Sequence, residues 1–395
     1  ALWCGCEKRR NTMKIRDFGV EMWMNAYENN CTYNLAETCV KSLTVQELAG
    51  LSGKGDKVWE DIRAMQLTYG DIEGSAALRE GLCGLYETVR PENTTITHGA
   101  IGANDLVINA LVEPGDTVIS VLPTYQQLYS IPESLGAKVK ICRLREENGF
   151  LPDLAELESL VDGKTKLICI NNPNNPTGAL MDGALLRGVA KIAAGCGAWV
   201  LCDEAYRGLN HAQYGENFAP AMADLYEKGV SVGSFSKTFS LAGLRLGWVA
   251  APVELIERIN RRRDYNTISC GKIDDYLAAL AIRSRDGGPD VVRLLRRNLK
   301  IVADNAAVLD AWVNSEPRIS YVKPKAGTTA FLKYDAPVDS VTFCKRLLEE
   351  TGVMLLPGAA MDMEGWLRIG YCFAENTTAL REGLALVSKF LRTFD

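Results

Sequence analysis

Lys237 lies in Ser234-Phe-Ser-Lys237-Thr-Phe-Ser-Leu-Ala-Gly243-Leu-Arg245-Leu-Gly-Trp248, directly after a short apolar run. An amine held among small hydroxyl residues at a strand's end is placed to condense with a carbonyl and form an imine. Taken alone, such a lysine is more often a solvated surface group. Asp203, in Trp199-Val-Leu-Cys-Asp203-Glu-Ala-Tyr206, ends a fully apolar run, where an α/β sheet presents its ligand site. A carboxylate withdrawn from water there needs a cationic partner. A protonated pyridine nitrogen would serve, because the charge so held turns the ring into an electron sink. The competing reading of Asp203 is an N-cap for a following helix. A third segment, Asn171-Asn-Pro-Asn-Asn175-Pro-Thr-Gly178, is a turn by composition, with two X-Pro steps that restrict the backbone.

Composition narrows the chemistry further. The 395 residues carry 44 Lys and Arg against 49 Asp and Glu, a net charge of −5, so there is no cationic excess to exchange for the counterions of a nucleic acid. Apolar runs such as 198–202 and 230–232 fall far short of the ~20 residues that cross a bilayer. With two histidines, His98 and His211, and no Cys-x-x-Cys, a Ser-His-Asp triad or a zinc site is hard to assemble. No metal is expected. Most of the 12 cysteines, Cys169, Cys202 and Cys372 among them, sit in apolar strand-like runs and read as buried, reduced thiols. Residues 1–12 contain Lys8, Arg9 and Arg10 and the close pair Cys4 and Cys6, without the apolar core of a signal peptide. Met13 reads as a more natural start, and the protein as cytoplasmic.

The elements that must position these residues follow from hydrophobic periodicity. Strands are predicted at 94–97, 117–122, 138–142, 167–170, 199–202, 231–234 and 248–250, alternating with helices at 76–89, 104–111, 154–161 and 184–194. That rhythm predicts an α/β fold with a large domain, its mostly parallel seven-stranded sheet lying between helices. Thr44-Val-Gln-Glu47 is a capping box that opens another helix. After Pro252 come long amphipathic helices, then short strands at 319–323, 329–334 and 366–371, the pattern of a smaller α+β domain. The expected division is 1–43 as an N-terminal arm and part of the small domain, 44–270 as the large domain and 271–395 as the C-terminal small domain. A cleft between the domains is the default ligand site.

The order Asn175-Pro-Thr-Gly178, Asp203-x-x-Tyr206, Ser234-x-Ser-Lys237 and Gly243-Leu-Arg245, each after a successive strand, resembles the class I/II aminotransferases, which are fold type I pyridoxal-phosphate enzymes. The resemblance runs from about Tyr69 to the last helix and implies an aspartate aminotransferase-like fold with pyridoxal 5'-phosphate as cofactor. It implies that Lys237 holds the cofactor as an internal aldimine and then shuttles a proton on the way through a quinonoid intermediate. Asp203 would pair with the pyridinium nitrogen, Asn175 and Tyr206 would hydrogen-bond the phenolic oxygen, and Tyr125 would stack on the ring. Ser234 and Arg245 match phosphate ligands. In His98-Gly-Ala100-Ile101-Gly-Ala-Asn, the backbone N–H groups of Ala100 and Ile101 would cradle the same dianion at a helix start. That segment lacks Gly-x-Gly-x-x-Gly, which argues against a nicotinamide dehydrogenase. Tyr69 matches a tyrosine sent to the neighbouring subunit's phosphate, which implies a homodimer. Arg368, in Trp366-Leu-Arg-Ile-Gly, matches the arginine that grips the substrate α-carboxylate, against a plain reading as a strand-surface arginine.

The segment Asn34-Leu-Ala-Glu37-Thr38-Cys39 departs from the glycine-containing loop of many relatives, and it brings Glu37 toward the side chain of a bound amino acid. Stretches 263–269 and 324–331 are similar to capreomycidine synthase, a branch that cyclises a hydroxylated arginine. The expected function is therefore an aminotransferase acting on amino-acid and 2-oxo-acid substrates. The alternative is a β-elimination or cyclisation enzyme, capreomycidine synthase-like or C–S lyase-like. A cofactor-binding transcriptional regulator is disfavoured by the short stretch ahead of residue 44, which has no basic helix-turn-helix pattern. No second arginine is found for a dicarboxylate, so aspartate and glutamate are expected to be poor donors beside neutral, aromatic or cationic ones.

Overall fold

The computed structural model describes residues 15–212, 218–282 and 289–394. The expectations for the leader and for Cys4 and Cys6 lie outside the described residues. The strands, in chain order, are β1 (Tyr33–Asn34), β2 (Thr94–Thr97), β3 (Thr117–Leu122), β4 (Lys138–Arg143), β5 (Thr165–Asn171), β6 (Trp199–Asp203) and β7 (Gly229–Ser234). They continue with β8 (Gly247–Ala250), β9 (Ile319–Tyr321), β10 (Thr329–Tyr334), β11 (Val353–Met354), β12 (Leu356–Pro357) and β13 (Trp366–Gly370).

Seven of these form one sheet in the order β2-β8-β7-β6-β5-β3-β4, with β8 antiparallel to both neighbours and the other pairings parallel. Every residue of β3, β6 and β7 is buried, because helices cover both faces of a parallel sheet, which is why these strands read as continuous apolar runs. One face packs Ala103, Leu106 and Val107 of the helix Gly99–Leu111 against Val118, Leu201 and Val232. The other packs Leu186, Val189 and Ala193 of Gly183–Cys196 against Ile168, Ile170 and Val200. Asp182 caps that second helix through Leu185 N, and Gly197, in the left-handed region, ends it.

The smaller sheet, β12-β13-β10-β9, is antiparallel throughout, and β1 pairs in parallel with β11. Its core reaches back to the first helix, Gly19–Tyr27: Val20 and Trp23 are buried with Leu355, Leu356 and Leu367, and Trp23 Nε1 donates to Leu355 O at 2.9 Å. On the C-terminal side of residue 270, Leu277–Ile282 of the helix Lys272–Ile282 share a cluster with Leu48, Leu78 and Trp248.

Two helix boundaries differ most from periodicity. The helix expected at 76–89 stops at Cys83, where Gly84 follows, and the one expected at 104–111 starts at Gly99. The capping box at Thr44 is present and opens Val45–Leu51. Two-residue strands β1, β11 and β12 carry too few residues to show a period. No described helix is long and apolar enough to cross a membrane.

Candidate active site

The strand register sets the site. Asn171 pairs with Asp203, and Asp203 with Val232, so β5 and β6 end at one level, β7 runs two residues further, and Asn171, Asp203 and Ser234 come to the same edge of the sheet. Above these ends lies a cavity of about 300 Å³, closed by the first helix, by residues 36–39 and by Arg368 of β13. The sequence expectations converge there: Glu37, Ala100, Ile101, Tyr125, Asn175, Asp203, Tyr206, Ser234, Lys237, Arg245 and Arg368 all line it. Tyr69 does not line it and is 79% exposed.

Asp203 accepts from Asn104 Nδ2 at 2.8 Å and from Ala205 N at 3.1 Å. Burial raises the proton affinity of this carboxyl, with the Asn104 bond opposing. A turn follows β6, so the helix-cap reading of Asp203 is not met: no described helix begins at it. No ion pair engages Asp203 among the described residues, which leaves a buried carboxylate suited to a cationic ligand.

Lys237 Nζ donates to Thr38 Oγ1 at 2.7 Å and lies 3.2 Å from Cys39 Sγ. Burial lowers its proton affinity, but the short contact with Cys39 and the charge of Glu37 oppose this and hold it above the usual lysine value. Burial pushes the Cys39 thiol up, so the thiol stays protonated and Glu37 is the ionised neighbour. For Glu37, burial acts to raise the pKa. The Lys237 charge and the N–H groups of Thr38 and Cys39, both donating to Oε1 at 2.7 Å, bring it below the ordinary value.

Arg368 is 3% exposed, so the strand-surface reading fails. Its guanidinium donates to Ala36 O at 3.1 Å and to Asn175 Oδ1 at 3.4 Å, while Nε has no partner. Burial lowers its pKa, and the carboxylates Glu37 and Glu21 nearby act in the opposite direction. A buried fork with an unsatisfied N–H is complementary to a carboxylate.

At the other end, the start of Gly99–Leu111 meets Ser234, Ser236 and Arg245. Ser236 N donates to Ser234 Oγ at 3.0 Å, and Arg245 donates to Ala242 O at 3.0 Å. A side chain on Gly247 would place its Cβ 2.5 Å from Ala100 N, so glycine lets the helix start rest directly on β8. N–H groups, hydroxyls and a guanidinium together make a dianion cradle. Tyr125 OH donates to Glu21 Oε1 at 2.8 Å, and Tyr206 is buried beside Gly327. Asn104, Ser236, Thr38, Cys39, Glu21 and Glu28 also line the cavity or hold its residues, and sequence alone does not single them out as site residues. Asn104 shares its helix with Asp105 and a second amide, Asn109, so the sequence gives no signal that sets it apart.

The donor set fits pyridoxal phosphate: an amine for its carbonyl, an unpaired buried carboxylate for its pyridine nitrogen and a cradle for its phosphate. Fold and site together define a fold type I pyridoxal-phosphate enzyme. The family model for Aminotransferase class I and II matches residues 41–384, and the chain belongs to that family. It is 43% identical to a PLP-dependent aminotransferase from Streptococcus suis 89-1591, covering 97% of this chain and 99% of that one with a TM-score of 0.91. It is 34% identical to capreomycidine synthase of Streptomyces vinaceus over 75% of this chain and 74% of the relative. The PLP-dependent cyclase OrfR is 25% identical, with 98% and 99% covered and a TM-score of 0.86.

Proposed function

We propose that this enzyme is an aminotransferase that moves the amino group of an α-amino acid to a 2-oxo acid. The carrying observation is the convergence of Lys237, Asp203 and Arg368 on one cavity: a reactive amine, an anchor for a pyridine nitrogen and a carboxylate fork. Bound there, pyridoxal phosphate supplies the sink for the electrons left at the substrate Cα. Lys237 Nζ is the amine that would hold the cofactor carbonyl and, once free, would accept the proton from the substrate Cα. Asp203 would hold the proton on the pyridine nitrogen, and Asn104 fixes its carboxylate in place. Asn175 and Tyr206 would hydrogen-bond the phenolic oxygen, and Tyr125 would flank the ring. Ser234, Arg245 and the N–H groups of Ala100 and Ile101 would hold the phosphate, and Arg368 would orient the substrate through its carboxylate. We also infer a cytoplasmic location and a homodimer in which Tyr69 completes the neighbouring site, a reading supported by the exposure of Tyr69 away from its own cavity.

Similarity to capreomycidine synthase and to a cyclase favours a second reading, elimination or cyclisation at Cβ. Product analysis separates the two. Transamination requires a 2-oxo acid acceptor and releases a keto acid in proportion to it, whereas elimination or cyclisation proceeds with no acceptor. Acceptor-dependent keto acid production, lost in Lys237→Ala together with the borohydride-fixable chromophore, is the expected result. Turnover independent of any acceptor would establish the second reading.

A further inference from the structure

We propose that the substrate is an α-amino acid with a cationic side chain and that Glu21 and Glu28 select it; the proposal rests on the amino-acid reading above. The described lining of the cavity carries three cations, Lys237, Arg245 and Arg368, and four carboxylates, Glu21, Glu28, Glu37 and Asp203. Each cation is already committed, Lys237 to the cofactor carbonyl, Arg245 to the phosphate and Arg368 to the substrate carboxylate. Asp203 is taken by the pyridine nitrogen. Three carboxylates remain, and none of them enters an ion pair among the described residues.

Two of the three come from one face of the helix Gly19–Tyr27 and the turn after it. Val20, Glu21, Met24 and Glu28 line the cavity, while Trp23 is buried in the small-domain core and so fixes the rotation of the helix. Seven residues separate the two acids, about 10 Å along the axis. Glu21 is held by Tyr125 OH and is close enough to act electrostatically on Arg368. The Glu28 carboxylate makes no hydrogen bond among the described residues. Independently, the unpartnered Nε of buried Arg368 marks where a carboxylate is gripped, so an amino acid anchored there lies in the cavity walled by these acids. A guanidinium or ammonium group finds carboxylates that enter no ion pair among the described residues, a neutral side chain gains little, and a second carboxylate meets like charge.

Titration of the holoenzyme's cofactor absorbance with l-arginine and l-citrulline tests this, because the pair differs in charge at nearly constant shape. The dissociation constant for arginine should be at least about tenfold lower than that for citrulline, with l-lysine ahead of l-norleucine and glutamate weakest. Glu21→Gln and Glu28→Gln should each shrink the arginine-to-citrulline ratio at least about threefold, and Glu28→Asp should restore it, a rescue that a purely structural role does not predict. Equal affinity for arginine and citrulline, or a ratio untouched in both Gln variants, overturns the proposal. The titration reads occupancy and the acceptor assay reads turnover, so the two readings fail separately. Arginine preference without acceptor-dependent keto acid leaves the cationic substrate standing and removes transamination. Equal acceptor-dependent turnover of both probes does the reverse.

Discussion

At Lys237 the neighbours act against burial. A buried amine ordinarily loses its proton more easily, yet the ionised Glu37 nearby favours the protonated form here, and only the neutral amine can attack a carbonyl. Removing the Glu37 charge should therefore lower the pKa of Lys237 and enlarge its neutral fraction at any pH below that pKa. In Glu37→Gln, capture of pyridoxal phosphate by the apoenzyme should run about tenfold faster at neutral pH, and its rise with pH should begin lower. The chromophore's rate of appearance across pH measures this, and a profile that coincides with wild type would place Glu37 outside the electrostatics of Lys237. The sequence shows this carboxylate but not what holds it. It suggests a contact with a substrate side chain, whereas Oε1 is bound by the N–H groups of Thr38 and Cys39. Lys237, Asp203, Asn175 and Arg245 are legible because each ends or follows a short apolar run that reads as a strand. Asn104 is not legible as a partner of Asp203, because a contact across 99 residues exists only once the helix is laid on the sheet.

Among the elements, the seven strands of the large sheet are visible in the sequence because buried parallel strands concentrate apolar residues in short runs bounded by turns. The helix Gly99–Leu111 begins ahead of the start at 104 that periodicity indicates, since Gly99 and Gly102 have low helix propensity and hide the first turn. Those same glycines belong to the turn whose N–H groups make the cradle. Strand β8 contributes Gly247 beneath it, where an added methyl would come within 2.5 Å of both Ala100 N and Gly99 C. Backbone atoms cannot rotate aside as a side-chain tip can, so Gly247→Ala must lift the helix start. Its cost to stability should be about 1–3 kcal/mol, seen as a lowered Tm of the apoenzyme, with a cofactor dissociation constant raised at least about tenfold. A variant with both values unchanged would show that the cradle does not depend on this contact. The pairing of Tyr33–Asn34 with Val353–Met354 lies beyond periodicity, because two residues at each end of a loop of over 300 cannot announce their register.

For the whole molecule, the described chain brings ten of the expected cofactor and substrate residues besides Glu37 to one cavity but leaves Tyr69 exposed outside it, with Leu67 and Ile72 exposed nearby. An aromatic residue left in water next to other apolar side chains is suited to a partner surface. In a two-fold dimer the same surface is used twice, so a residue given to the neighbour's site is received back from the neighbour. Complementation tests this directly. Tyr69→Ala and Lys237→Ala homodimers should each be impaired, the first through weakened cofactor binding and the second through loss of the reactive amine. After mixing, unfolding and refolding, half of the dimers carry one of each chain. In those, the site with an intact Lys237 is the one that receives an intact Tyr69. One wild-type site in half of the dimers should restore about a quarter of wild-type activity. If Tyr69 acted within its own subunit, every site with an intact lysine would lack the tyrosine ring, and the refolded mixture would not rise above the average of the two parents.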